Sequence, residues 1–187
     1  MSPTSSGRQP GLAVPRVADV QLRGPAGPLP ARAYWPAASG PLVAPALLVL
    51  FPGDGEAPAV LERADALCRG LCSYVGIVVL SVTYRSATPW FDAAALEDAT
   101  AAVHWAADHA AQLGADPGRL MVAGTGVGGD IAAAVALRAR DDGWPAIERQ
   151  VLIRPELVGV AADELHQGTA DRLLRSLARS VRPAFEA

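Results

Sequence analysis

The feature that most constrains this sequence is a glycine-dense turn between an apolar run and a helix-forming run. Residues 120–123 read LMVA, residues 124–129 read GTGVGG, and residues 130–133 read DIAA. A strand, a tight turn and a helix in this order are typical of α/β folds, in which the helix N-terminus offers unpaired N–H groups and a partial positive charge. The sequence therefore predicts that a functional site lies at this turn.

Strand-like and helix-like patterns alternate along the rest of the chain. Apolar runs typical of buried strands occupy residues 46–51 and 77–84, and a further strand is predicted at 147–153. Helical spacing of apolar residues covers about 57–74, 96–113, the stretch after the glycine turn to Arg140, and 163–180. Gly114 stands where a cap of the second helix is expected. The alternation predicts a mostly parallel sheet with helices on both faces.

The N-terminal part of the chain has a different pattern. Residues 1–15 are small, polar and rich in proline, which predicts a disordered tail before a single domain at 16–187. Residues 17–22 and 29–35 flank a Gly/Pro-rich segment and predict an antiparallel hairpin with a wide turn.

Composition excludes several classes of function. The net charge is −3, and the sequence has no basic patch with interleaved aromatic residues, so we expect no nucleic-acid partner. It has neither an apolar run of the ~20 residues that span a membrane nor a signal-peptide region, which predicts a soluble cytoplasmic protein. Cys68 and Cys72 lie four apart without a second ligand pair, so we expect buried thiols and no metal site.

Six segments carry a resemblance to a known family. They are FPGDG at 51–55, VTYR at 82–85, AALEDA at 94–99, LGADP at 113–117, VAGTGVGG at 122–129 and QVLIRP at 150–155. At matching intervals, the hormone-sensitive-lipase-like esterases have HGGG, VDYR, AALEDA, LGxDP, AGDSAGG and QVLIYP. The chain resembles this family of the α/β-hydrolase fold. The resemblance implies a three-layer sandwich and predicts that the chain is truncated, without the last two strands of the sheet.

The resemblance also identifies what the catalytic site lacks. Gly126 stands at the position of the nucleophilic serine, and Thr125, where the family has aspartate, is expected to point away from the pocket. The family's histidine follows two further strands, and Asp163 is at most a relic of its acid. Backbone N–H groups near Gly53, Asp54, Gly55 and Val127 are expected to face a ligand oxygen.

Three functional interpretations remain open. The first is a pseudoenzyme without cofactor that binds a small apolar or ester-like ligand or serves as an accessory protein. The second is a hydrolase in which Asp54 or Asp130 activates water. The third is an NADP-binding protein, because Gly124, Gly126 and Gly129 form a G-x-G-x-x-G pattern and Arg154 follows the next strand.

The predicted last strand suggests a partner. If residues 147–153 end the sheet, their outer backbone groups have no assigned neighbour, and residues 150–153 (QVLI) are apolar and free of proline. We therefore expect a homo-oligomer or a protein partner at this open edge.

Overall fold

The computed structural model of the chain describes residues 14–37, 43–53, 59–85 and 92–153. Its strands are β1 (Arg16–Gly24), β2 (Gly27–Trp35), β3 (Leu47–Phe51), β4 (Val78–Val82), β5 (Leu120–Thr125) and β6 (Arg149–Ile153). Its helices are α1 (Ala59–Gly70), α2 (Ala93–His109) and α3 (Val127–Asp142), and a π-helical turn, Leu71–Val75, continues α1. Most of the predicted tail, the predicted helix at 163–180, Asp54, Gly55 and Asp163 lie outside the described residues.

The strands form one mixed sheet in the order β1-β2-β4-β3-β5-β6. β1, β2 and β4 pair antiparallel, whereas β4, β3, β5 and β6 pair parallel. This arrangement confirms the predicted α/β fold with an N-terminal hairpin. In the described part of the chain, no helix has both the length and the hydropathy of a membrane span.

Helices cover the two faces of the sheet. α2 and α3 pack with one face of the strands into one apolar cluster, and α1 packs with the other face into a second. β3 and β4 are buried along their whole length, which explains why they read as continuous apolar runs. Right-handed crossovers explain which face each helix covers. Through α1 the chain moves from β3 towards the β1 edge of the sheet, and through α2 and α3 it moves towards the β6 edge, so α1 lies on the opposite face from α2 and α3.

Local boundaries differ from the predictions where glycines decide the backbone. Gly24 pairs with Gly27, so the hairpin turn holds only two residues and the predicted wide turn is wrong. Gly27 has a φ of 139°, which a glycine adopts without steric cost. α2 ends at His109 rather than at 113, and one further turn leads to Gly114, which has a φ of 72°. The Gly114 N–H donates to the Ala111 carbonyl at 3.0 Å and the Ala115 N–H to the Ala110 carbonyl at 2.9 Å, so Gly114 caps this end of the helix as predicted.

Candidate functional site

The turn between β5 and α3 has a backbone conformation that is specific to glycine. Gly126 has φ 54° and ψ −131° and immediately precedes the first residue of α3. Its N–H donates to the Ile153 carbonyl at 2.9 Å, and its own carbonyl accepts from the Gly129 N–H at 2.9 Å. The turn is therefore fixed on one side by β6 and on the other by its own helix.

Close backbone packing explains why several positions in this turn are occupied by glycine. A Cβ on Gly128 would lie 2.8 Å from the Phe51 carbonyl carbon and closer still to its oxygen. A Cβ on Gly124 would lie 2.6 Å from the Gly129 nitrogen and closer to the Gly128 oxygen. A Cβ on Gly129 meets nothing nearer than 3.4 Å, which is an ordinary contact. A side chain at 128 would therefore push α3 away from the end of β3, and one at 124 would push α3 away from β5.

The same contacts bear on the dinucleotide pattern. In that fingerprint the third glycine, Gly129 here, lets the helix pack against the strand. The close approach in this chain instead occurs at Gly128, which is outside the pattern. Helix–strand packing therefore accounts for Gly124 and Gly128 without a nucleotide.

A side-chain hydrogen bond joins the turn to the segment after β3. The Gly53 N–H donates to the Thr125 hydroxyl oxygen at 2.8 Å. Gly53 was expected to present this N–H to a ligand, but the proton is directed at Thr125. The sequence did not reveal the contact because the two residues lie 72 positions apart; the hydroxyl beside Gly126 was its only signal.

Residues after β4 hold the same segment from a second direction. The Tyr84 hydroxyl donates to the Pro52 carbonyl at 2.9 Å, and the Tyr84 ring meets Phe51 edge-on at 6.4 Å. The neighbouring Arg85 donates from its backbone N–H and from Nε to Asp98 Oδ2, each at 2.9 Å. These hydrogen bonds with Asp98 raise the pKa of Arg85 and tie the end of β4 to α2.

The structure brings together those predicted site residues that it describes. β3 and β5 are parallel neighbours, with Phe51 opposite Gly124, so Gly53, Gly126 and Val127 gather at the carboxyl ends of both strands. Val127 is the first residue of α3, and its N–H has no acceptor within the helix. The turn can therefore offer a backbone donor to a ligand oxygen, but Gly126 offers no nucleophile.

The histidines and cysteines among the described residues are engaged in packing. His104 packs on the Trp144 ring at 4.8 Å between ring centres, and His109 stacks on Trp105 at 4.2 Å. Cys68 and Cys72 are buried free thiols, and burial raises the pKa of each to about 12. These four groups are held by packing, whereas Asp130, the described candidate for activating water, lies in the first turn of α3.

Comparisons with known proteins identify relatives of this chain. A sequence model described as alpha/beta hydrolase fold matches residues 51–181. Esterase LipI of Mycobacterium tuberculosis is 43% identical over 148 residues, which are 79% of this chain and 46% of the relative. Carboxylic ester hydrolase LipN of the same organism is 43% identical over 144 residues, which are 74% of this chain and 38% of the relative. The chain thus spans less than half the length of these curated relatives.

Solved structures agree with the sequence comparison. An esterase of Pyrobaculum calidifontis superposes with a TM-score of 0.69 at 34% identity, over 86% of this chain and 56% of that chain. The carboxylesterase EstE1, cloned from a metagenomic library, superposes with a TM-score of 0.66 at 33% identity, over 89% of this chain and 59% of that chain.

Proposed function

Because this chain belongs to the α/β hydrolase fold family, and because Gly126 stands where the resemblance puts the nucleophile, we propose that it binds ester-like ligands without serine-based acyl transfer. The observation that carries this proposal is the Gly126 turn, with φ 54° and ψ −131° at the start of α3. This backbone conformation is strained for any residue that has a side chain and serves to present one at a strand-to-helix turn, yet Gly126 carries no side chain.

Binding would use the backbone and the helix dipole. A carbonyl or carboxylate oxygen placed over Gly126 would accept from the Val127 N–H, and the N-terminus of α3 would favour its negative charge. A hydrogen bond to a charged group contributes about 1.5–3 kcal/mol and the dipole about 0.3–1 kcal/mol. These magnitudes support weak binding of a small carboxylate or ester, with most affinity left to the apolar part of the ligand.

Acyl transfer through a covalent intermediate needs a side-chain oxygen or sulfur at the turn. Gly126 has none, and the neighbouring Thr125 oxygen accepts the Gly53 N–H at 2.8 Å. The names of the relatives, which are esterases and a carboxylic ester hydrolase, support an ester-like ligand class. These two points together support an accessory role that is built on ligand binding.

A paired measurement of chemistry and binding tests the proposal. We expect no labelling by a fluorophosphonate probe, no turnover of p-nitrophenyl butyrate, and saturable binding of butyrate by isothermal titration calorimetry. Gly126→Leu fills the space over the turn and should abolish binding. Gly143→Leu is the control for a leucine at a glycine with positive φ, because Gly143 has a φ of 75° with open space around it, although its ψ is 5° rather than −131°. Thermal unfolding of both variants shows that each one is folded.

Each contrary outcome has a distinct meaning. A serine labelled by the probe would show a hidden nucleophile and overturn the proposal. Turnover without labelling would favour the hydrolase that uses an acid/base group on water. Butyrate binding that is unchanged in Gly126→Leu would place the ligand elsewhere. Gly126→Ser alone should not restore turnover, because a serine without its base is a poor nucleophile.

A further inference from the structure

One peptide unit just after β3 is hydrogen-bonded through both of its polar groups. The Pro52 carbonyl accepts from the Tyr84 hydroxyl at 2.9 Å, and the Gly53 N–H donates to the Thr125 hydroxyl oxygen at 2.8 Å. This carbonyl and this N–H belong to the same trans peptide bond, in which they point in opposite directions. Two side-chain hydroxyls therefore hold the peptide unit from its two ends.

The two hydroxyls come from the strands on either side of β3. In the sheet, β3 lies between β4 and β5. Tyr84 follows β4, and Thr125 is the last residue of β5, whereas β3 itself ends at Phe51. Side-chain hydroxyls thus continue the hydrogen bonding of β3 on both sides beyond the end of its ladder.

The local sequence leaves the orientation of this peptide unit open. Proline is favoured at the first central position of both type I and type II turns, which differ by a rotation of the peptide that follows it. Glycine as the next residue takes the backbone angles of either form without steric cost. Because the Pro-Gly pair at 52–53 accepts both orientations, the hydroxyls of Tyr84 and Thr125 select the one that the structure shows.

The backbone that carries the Tyr84 hydroxyl is itself held on both sides. Thr83 donates to the Pro30 carbonyl from its N–H at 3.0 Å and from its hydroxyl at 2.7 Å. The Arg85 N–H donates to the fully buried Asp98 carboxylate at 2.9 Å. A hydroxyl supported by such a frame keeps its acceptor in one place.

The held peptide unit lies directly against the glycine turn. A Cβ on Gly53 would be 2.9 Å from the Thr125 carbonyl carbon and 3.2 Å from the Gly126 Cα. Val127, whose N–H is the donor in the proposed ligand site, follows Gly126 directly. A rotation of the peptide unit would therefore exchange the places of a carbonyl oxygen and an N–H beside the ligand position.

We propose that Tyr84 and Thr125 are positioning residues, which lock the peptide unit at 52–53 in one orientation and thereby strengthen the binding of an ester or carboxylate oxygen at the turn. The hydrogen bond from Tyr84 keeps the partial negative charge of the Pro52 oxygen away from an incoming ligand oxygen. Both residues act through the peptide unit. Their role in binding rests on the proposed function, whereas the lock is a property of the free protein.

Amide hydrogen exchange followed by NMR tests the lock without a ligand. We expect the Gly53 N–H to exchange about tenfold faster or more in Thr125→Val, which removes its acceptor, and also in Tyr84→Phe, which removes only the hydrogen bond at the other end of the peptide unit. Thr125→Ser keeps a hydroxyl and should keep the parent rate. The amides of β3 report opening of the whole domain, so the expected change is one confined to Gly53.

Butyrate titrated into the same samples tests the consequence for binding. The shift of the Val127 amide signal gives the dissociation constant. We expect Thr125→Val and Tyr84→Phe each to raise this constant about fivefold, as for the loss of one hydrogen bond. Thr125→Ser should restore the parent value, which a change in side-chain volume alone would not predict.

Two variants control for the loss of a hydroxyl as such. Thr100→Val removes a hydroxyl that donates to the Leu96 carbonyl within α2 at 2.7 Å. Tyr34→Phe removes a hydroxyl that donates to Asp65, between β2 and α1, at 3.0 Å. Neither hydrogen bond involves the peptide unit at 52–53, so both variants should keep the parent exchange rate of Gly53 and the parent dissociation constant.

Several results would overturn the proposal. If Tyr84→Phe leaves the Gly53 N–H at the parent rate, the two hydroxyls hold separate groups and lock no common orientation. Faster exchange with an unchanged dissociation constant would show that Tyr84 and Thr125 have no role in binding. A parent chain that does not bind butyrate would overturn the proposed function and this role in binding with it, while the exchange rates would still decide whether the lock exists.

Discussion

Replacing Gly128 by alanine tests how closely the functional turn packs against the sheet. The added Cβ would lie 2.8 Å from the Phe51 carbonyl carbon and 3.1 Å from the Pro52 carbonyl carbon. Both obstacles are backbone atoms, which cannot rotate away as a flexible side chain could. Relief therefore requires α3 to move away from the end of β3.

The size of that movement determines the expected loss of folding free energy. Relieving the contact with the Phe51 carbonyl carbon alone, from 2.8 Å to an ordinary 3.4 Å, needs a shift of about 0.6 Å, and the carbonyl oxygen, which lies closer still, requires more. A gap of this size removes roughly a quarter to a half of the van der Waals energy of each contact that α3 makes through Ile131, Ala132 and Val135. Overpacking costs about 1–3 kcal/mol or more, and alanine recovers at most about 1 kcal/mol of helix propensity. We expect a net loss of about 2 kcal/mol.

Gly129→Ala is the matched control on the same turn. Its Cβ would meet nothing closer than 3.4 Å, so the helix propensity of alanine should stabilise the protein by up to about 1 kcal/mol. Urea denaturation followed by circular dichroism measures both variants. If Gly128→Ala unfolds within 0.5 kcal/mol of the parent, a difference of about the experimental scatter, the packing explanation of this glycine is refuted.

Two further predictions concern buried charges and thiols. Asp98→Asn should lower the free energy of unfolding by about 3 kcal/mol, because it removes the charge of a fully buried carboxylate that accepts from Arg85. Glu97→Gln changes an exposed partner of the same arginine at 3.5 Å and should lower it by under about 0.5 kcal/mol. Urea denaturation of both variants checks this. Burial raises the pKa of Cys68 from 9.0 to about 12, so above pH 9 the unfolded chain loses this proton first and stability should fall by about 1.4 kcal/mol per pH unit. Urea midpoints of the parent and of Cys68→Ala from pH 8 to 10 measure this fall, and equal slopes would contradict it.

The central strands were predictable because their sequence is shaped by burial on both faces. β3 and β4 are fully buried, and an apolar run with flanking turns is sufficient to identify such strands. The width of the hairpin was not predictable in the same way. It depends on Gly27 taking a φ of 139°, one of several conformations open to a glycine, so the residue type alone does not determine it.

In the candidate site, too, local features were predictable and contacts between distant residues were not. The place of Gly126 followed from local sequence, since a strand, a glycine turn and a helix are adjacent in the chain. The need for glycine at 128 and the hydrogen bond from Gly53 to Thr125 could not be predicted, because their partners lie in β3 and after it. Contacts between residues so far apart leave no periodic pattern in the sequence.

The hydrogen bond between Gly53 and Thr125 also couples the site to folding itself. Its partners are 72 residues apart, and closing a loop of that length costs about 4 kcal/mol of chain entropy at room temperature. The cost is met only by pairing β3 with β5, so the turn cannot take its shape in a fragment or a partly folded chain. A ligand held there consequently binds the native state alone, and its binding free energy adds to the stability of the whole domain.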